Sequence, residues 1–208
     1  MLALGVLVSG NGTNLQAVLD AIQRRELDAE VRMVISNQPD AKALARAESA
    51  GVPTCSVRHG EFASREEFDH ELVRRLQAAG AEWVLLAGFM RVLTPVFLGA
   101  FRDRIVNIHP ALLPAFPGVR AQAQALAYGV KVAGCTVHFV DEGVDAGPVI
   151  AQRAVDVLAD DGVESLSARI LEAEHQLVVE ALSWIAQGRV ELVQGSDGSR
   201  RVARVRAS

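Results

Sequence analysis

Residues 3–8 form an unbroken apolar run that stops at Ser9-Gly10-Asn11-Gly12-Thr13-Asn14. A run this short with no polar break suits a strand covered on both faces, so helices must flank the sheet it joins. The next hundred residues repeat the theme. Asn14 to Arg25 carries Leu15, Val18, Leu19 and Ile22 at helical spacing. Val31 to Ser36 reads as a second strand, Ala41 to Ala50 as a helix stopped by Gly51, and Pro53 to Val57 as a short strand. Ser64-Arg65-Glu66-Glu67 opens a helix in capping-box form, Trp83 to Ala87 is an apolar strand, and a fifth strand starts at Ile105. Strand and helix in alternation predict a parallel sheet with right-handed crossovers.

The second half changes character. A proline-punctuated loop, Leu112 to Pro117, leads to a short helix, Val119 to Tyr128. Ala133 to Val140 and Pro148 to Val155 flank the acidic turn Asp141 to Gly147, as in an antiparallel hairpin with a long loop. Ser165 to Ala186 is the longest helical pattern, and Arg189 to Val193 with Arg201 to Val205 read as closing strands around a turn at Gly195 to Gly198. The expected class is α/β, with a Rossmann-like, mostly parallel central sheet, helices on both faces and antiparallel strands in the C-terminal half. We expect one domain over 1–208, with a nucleotide-type half at 1–107, a second half at 108–194 and a tail at 195–208.

In such sheets ligands sit beyond the carboxyl ends of the strands. Gly10 to Asn14 lies there, between a strand and a helix start, where backbone N–H groups and the helix N-terminus favour a small anion and Thr13 or Asn14 can cap the helix. The dinucleotide fingerprint is incomplete: Leu15 stands where the third glycine belongs, and Ser36-Asn37 replaces the acid expected after the second strand. No Walker lysine is present. The loop is therefore either a monophosphate site or a plain glycine turn.

Asn107 and His109 are two apart on a strand, so their side chains leave the same face. Together they offer an amide donor and an imidazole to a developing oxyanion. Asp145, flanked by Gly143 and Ala146-Gly147, is the candidate carboxylate to orient the ring. Taken alone, the histidine could equally be structural and the acidic turn a solvated loop. His138 alternates with Cys135, Val137 and Phe139 and reads as a structural residue. A metal site at His109, Asp141 and Asp145 lacks any motif spacing, and Ser9 lacks a nucleophile elbow.

Composition excludes several classes. The formal net charge is −4, which offers no field to hold nucleic acid. Two cysteines, Cys55 and Cys135, stand 80 positions apart, without the paired spacing of zinc or redox motifs, and fit a reducing, cytoplasmic compartment. No stretch of about 18 apolar residues is present, so no membrane span is expected.

Four segments occur in order: Ser9 to Gln16, Leu86-Ala87-Gly88-Phe89-Met90-Arg91, Asn107-Ile108-His109-Pro110-Ala111-Leu112-Leu113-Pro114, and Thr136 to Val140 with Asp145-Ala146-Gly147-Pro148. Together they resemble the 10-formyltetrahydrofolate-dependent phosphoribosylglycinamide formyltransferase family, from about residue 3 to about residue 194. The resemblance implies formyl transfer to the amine of glycinamide ribonucleotide in purine synthesis. It implies that Asn107, His109 and Asp145 are catalytic, and that Gly12, Thr13 and Asn14 bind the substrate phosphate while Glu174 holds its sugar. Met90, Arg91, Val92 and Leu93, with Asn107 and Asp141, Glu142, Gly143, Val144 and Asp145, would line the folate pocket, and Arg65 would meet the folate's carboxylate tail. It further implies a cis Leu113-Pro114 bond, and formyl-folate as a consumed cosubstrate with no tightly bound cofactor and no metal; the sequence leaves monomer or homodimer open. Arg120-Ala121-Gln122 departs from relatives that carry histidine there, and Leu171 replaces a polar contact found in some of them. The alternatives are a formyltetrahydrofolate deformylase and a non-catalytic mononucleotide-binding module.

Overall fold

The computed structural model describes residues 1–195, 198 and 200–207. The expected turn at Gly195 to Gly198 contains Ser196 and Asp197, which lie outside the described residues. The chain forms two compact units, Met1–Asn107 and Ile108–Ser208.

The first unit runs β1 (Leu2–Val8), α1 (Thr13–Gln23), β2 (Ala29–Ser36), α2 (Lys42–Ser49), β3 (Thr54–Ser56), α3 (Arg65–Ala78), β4 (Trp83–Leu86), α4 (Pro95–Ala100) and β5, whose span Ile105–His109 continues into the second unit. All seven residues of β1 are buried, as its unbroken apolar run requires. Its neighbours β2 and β4 both pair with it in parallel, β3 pairs with β2, and β5 with β4. β1 and β4 are thus the pair at which the chain reverses its direction of travel across the sheet. The crevice above their carboxyl ends is where α/β sheets place ligands. β3 covers β2 only from Val34 to Ser36. Among the described residues, Ala29 to Met33 have no partner strand on that outer edge.

The second unit contains α5 (Ala121–Tyr128), β6 (Val132–Phe139), β7 (Val149–Asp156), α6 (Val163–Ala186), β8 (Val190–Gln194) and β9 (Arg201–Val205). The seven-stranded sheet has the order β3-β2-β1-β4-β5-β6-β7 and is mostly parallel; β6 and β7 are antiparallel, as are β8 and β9 in a separate two-stranded sheet. The expected hairpin is present, with a register irregularity between Val137 and His138. α6 buries Leu166, Ile170, Ala173, Leu177, Val178, Ala181 and Leu182 along one stripe, and packs on β6 and β7. The Leu113-Pro114 peptide is cis. Its loop is held by Thr136, whose hydroxyl donates to the Ala111 carbonyl at 2.6 Å and accepts the Leu113 N–H at 3.1 Å. The Gln152 amide donates to the Leu113 carbonyl at 2.8 Å.

Candidate active site

The glycine loop folds differently from its expected capping. Gly12, in the left-handed region at φ 70°, is the residue that caps α1, and no side chain caps the helix. Thr13 and Asn14 are its first helical residues, so neither serves as the cap. Gly12 is required for a second reason: a β-carbon there would lie 2.4 Å from the β-carbon of Ala43 on α2. α2 grips the loop's carbonyls, through Ala43 N–H to Gly10 at 3.2 Å and Arg46 Nε to Asn11 at 2.8 Å. With the carbonyls engaged from that side and no side-chain cap, the first-turn N–H groups of α1 supply the positive end that suits an anion.

The segment after β4 is tied to this loop. Ser9 N–H donates to the Gly88 carbonyl at 3.1 Å, and Met90 N–H donates to Ser9 Oγ at 2.9 Å. Ser9 Oγ in turn donates to Asn37 Oδ1 at 2.6 Å. Arg65 and Val92 come together as well, with Arg65 Nη2 donating to the Val92 carbonyl at 2.7 Å. Met90 and Val92 expose their side chains while Leu93 is buried. Asn107 is half-buried near the end of β5, in register with Leu86 of β4.

In the second unit the structure brings His109 and Asp145 together, with Nδ1 3.3 Å from Oδ2 and side-chain exposures of 5% and 13%. Asp145 holds a positive φ of 50° in its glycine-flanked turn. Its Oδ2 also accepts the Gly118 N–H at 2.7 Å. The other carboxylate oxygen faces His138 Nε2 at 3.7 Å, long for a hydrogen bond but close enough for charge to matter. Burial pushes the Asp145 carboxyl up; the His138 ring, the Gly118 N–H and the charge of both histidines outweigh it and hold the group below its ordinary value. Asp145 is therefore a carboxylate at neutral pH. His109 Nε2 lies 2.9 Å from the Phe116 carbonyl. Both ring nitrogens of His109 thus face oxygens that only accept, which a doubly protonated imidazolium satisfies.

His138, expected to be structural, also faces Asp145. It is buried, and its Nδ1 donates to the Phe139 carbonyl at 2.8 Å, which leaves Nε2 toward Asp145. Within the acidic turn, Asp141 accepts the Gly143 N–H at 3.0 Å, which fixes the bend, while Glu142 and Val144 are exposed. Glu174 is 6% exposed on α6. It lies close enough to β6 that burial, and then its charge, push the Cys135 thiol up to about 12. Two cavities are lined by none of the candidate residues. One is a groove of about 1230 Å³ edged by Asp20, Glu30, Arg32, Arg46 and Arg74, and the other is an apolar cavity of about 440 Å³ lined by Leu112, Phe116 and Tyr128. Among the described residues no group of three or more His, Cys, Asp or Glu side chains is arranged to hold a metal ion, and no helix is long and apolar enough to cross a membrane.

Comparison with known proteins gives the family. The formyl transferase family model matches residues 3–182. The phosphoribosylglycinamide formyltransferase of Escherichia coli K12 is 42% identical over 198 residues, covering 94% of this chain and 93% of its own length. A trifunctional purine biosynthetic protein of Drosophila melanogaster is 50% identical over 187 residues, 89% of this chain, and the chain spans 14% of that protein's length. The crystal structure of glycinamide ribonucleotide transformylase 1 from Symbiobacterium toebii superposes with a TM-score of 0.93 at 51% identity, over 99% of this chain and 94% of that one.

Proposed function

The chain belongs to the formyl transferase family, and on that premise we propose that it transfers the formyl group of 10-formyltetrahydrofolate to the amine of glycinamide ribonucleotide, in purine synthesis. The products are formylglycinamide ribonucleotide and tetrahydrofolate. The observation that carries the reading is the Asp145 carboxylate held by His109, His138 and the Gly118 N–H, in a chain similar over nine-tenths of both lengths to an enzyme named for this reaction.

The chemistry assigns each residue a task. The neutral amine attacks the formyl carbon, and the carbonyl π pair moves to oxygen. Asn107 and His109, alternate residues of β5, are proposed to donate to that oxyanion; one such donor typically lowers the barrier by about 3–4 kcal/mol. The His109 N–H not committed to Asp145 would serve the substrate in exchange for the Phe116 carbonyl. Asp145 orients the imidazole and sets a negative charge beside it. As the intermediate collapses, the bond to N10 of the folate breaks, and the proton lost by the amine reaches that nitrogen through His109 or water. Gly12, Thr13 and Asn14 would hold the ribonucleotide phosphate, and Glu174 its sugar. Arg65, Met90 to Leu93, Asn107 and Asp141 to Asp145 would hold the folate. Residues 1–107 would supply phosphate binding and 108–194 folate binding and catalysis, within one formyltransferase domain. Formyl-folate is consumed as a substrate.

The test is to mix the protein with 10-formyltetrahydrofolate, with and without glycinamide ribonucleotide. Loss of the formyl group that depends on the ribonucleotide supports the reading. Equal loss without it marks a deformylase and refutes it, and ribonucleotide binding with no turnover at any pH marks a binding module.

A further inference from the structure

The segment Gly88 to Leu93 belongs to no helix or strand, and two of its side chains, Met90 and Val92, are 70% and 54% exposed. Neither a ladder nor core packing can hold those two residues, yet a ligand pocket built from backbone groups needs a fixed backbone. Its front end hangs from Ser9 Oγ through the Met90 N–H. Its rear end is held by a residue that sequence reading passed over. Asp69, on α3, is 3% exposed, and its Oδ2 accepts both the Thr94 N–H at 2.6 Å and the Thr94 hydroxyl at 2.7 Å.

Two features mark this contact as more than incidental. Thr94 occupies the cap position of α4, where a threonine hydroxyl ordinarily accepts a first-turn N–H, and it makes no such cap. The hydroxyl is turned to Asp69 instead. Asp69 is also a carboxylate on the apolar face of its helix, between buried Phe68, Leu72 and Val73. Burial pushes its carboxyl up; the two Thr94 bonds and then the charges of Arg65 and Arg91 offset this in part. The same face of α3 grips the segment twice more: Arg65 bonds the Val92 carbonyl, and Arg91 lies over the Phe68 ring at 5.4 Å.

We propose that Asp69 is a positioning residue: through Thr94 it holds the Met90–Leu93 backbone in its binding shape and thereby sets the affinity for formyl-folate. This rests on the folate reading above. A preorganised segment forfeits less freedom when its ligand arrives, so loosening it weakens binding without touching the bond-making step.

Asp69→Ala and Asp69→Asn test this by steady-state kinetics with 10-formyltetrahydrofolate and glycinamide ribonucleotide, alongside amide hydrogen exchange of residues 88–94. Asp69→Ala should raise the folate KM about tenfold or more, the loss expected of two buried hydrogen bonds. It should leave kcat and the ribonucleotide KM within about twofold, and speed exchange in 88–94. Asp69→Asn, whose amide oxygen still accepts from Thr94, should restore the folate KM. Should Asp69→Ala fail to fold, Thr94→Val removes one of the two donors and should move the folate KM the same way by less. The proposal is overturned if all three constants shift together, if the folate KM of Asp69→Ala or Thr94→Val is unchanged, or if Asn is as impaired as Ala. A wild-type protein with no ribonucleotide-dependent turnover would refute the folate reading instead; unchanged exchange in folded Asp69→Ala would still overturn the anchor separately.

Discussion

Asp145→Asn isolates charge from shape. Oδ2 accepts from Gly118 N–H and lies 3.3 Å from His109 Nδ1, and Oδ1 faces His138 Nε2. An asparagine can keep its oxygen on the Gly118 and His109 side and turn its NH2 toward His138. That ring already donates through Nδ1 to the Phe139 carbonyl, so as a neutral imidazole it presents a lone pair at Nε2. No donor is left facing a donor, and the variant should melt within about 2–4 °C of wild type, equivalent to roughly 1 kcal/mol. What disappears is the negative charge. At 3.3 Å a unit pair with effective dielectric of about 20 is worth about 5 kcal/mol. The side chains are 5% and 13% exposed, so bulk water screens little of it. Spreading of the charge over two oxygens, one of them beside His138, brings the share felt by His109 to roughly 3–4 kcal/mol. That is about 10²- to 10³-fold in kcat. The assay is steady-state formyl transfer across pH, with ligand binding measured in parallel. His109→Asn should lose at least as much, and the double variant far less than the product of the two losses, because the pair acts as a unit. A kcat near wild type in Asp145→Asn, or multiplicative losses in the double variant, would refute the coupling between these side chains.

Two further perturbations probe the same geometry. Gly12→Ala forces a β-carbon to 2.4 Å from Ala43 and a left-handed φ of 70° onto alanine, so it should cost about 2–4 kcal/mol and several degrees of Tm; a thermal melt unchanged from wild type would contradict that packing. His138→Gln removes a group that lowers the Asp145 carboxyl. A lowered carboxyl gives stability that is complete above its unfolded pKa and fades as pH falls through the folded one. The acid limbs of both kcat and Tm should therefore move to higher pH, and limbs that stay in place in pH titrations of either quantity would count against it.

The sheet and its order of elements were legible because burial on both faces demands unbroken apolar runs, as in β1, and because glycines such as Gly51 and Gly80 punctuate the helices. The helix Pro95–Ala100 passed unread: six residues are too few to show a period, and only Thr94-Pro95, a cap residue followed by proline, hinted at it. The close pair His109 and Asp145 was legible as a strand-end histidine and a glycine-flanked acid once the four segments were taken together. The place of His138 beside Asp145 was not, because the turn that returns Asp145 to β6 has no periodicity to read. Asp69 was invisible for a different reason: an acid within a charged helix looks solvated until the partner that buries it, Thr94, comes from 25 residues away.

The short third strand has a bearing on how copies of this protein behave in company. From Ala29 to Met33 the margin of the sheet is open, and an open margin is a template on which a strand from another chain can grow. Here that stretch alternates Glu30 and Arg32 with apolar residues, and the two charges pair with each other at 3.1 Å. It gives onto the polar groove rimmed by Asp20, Arg46 and Arg74. Any incoming strand would have to strip water from this charged rim before gaining a ladder bond, so this open margin carries its own deterrent against fibrillar stacking.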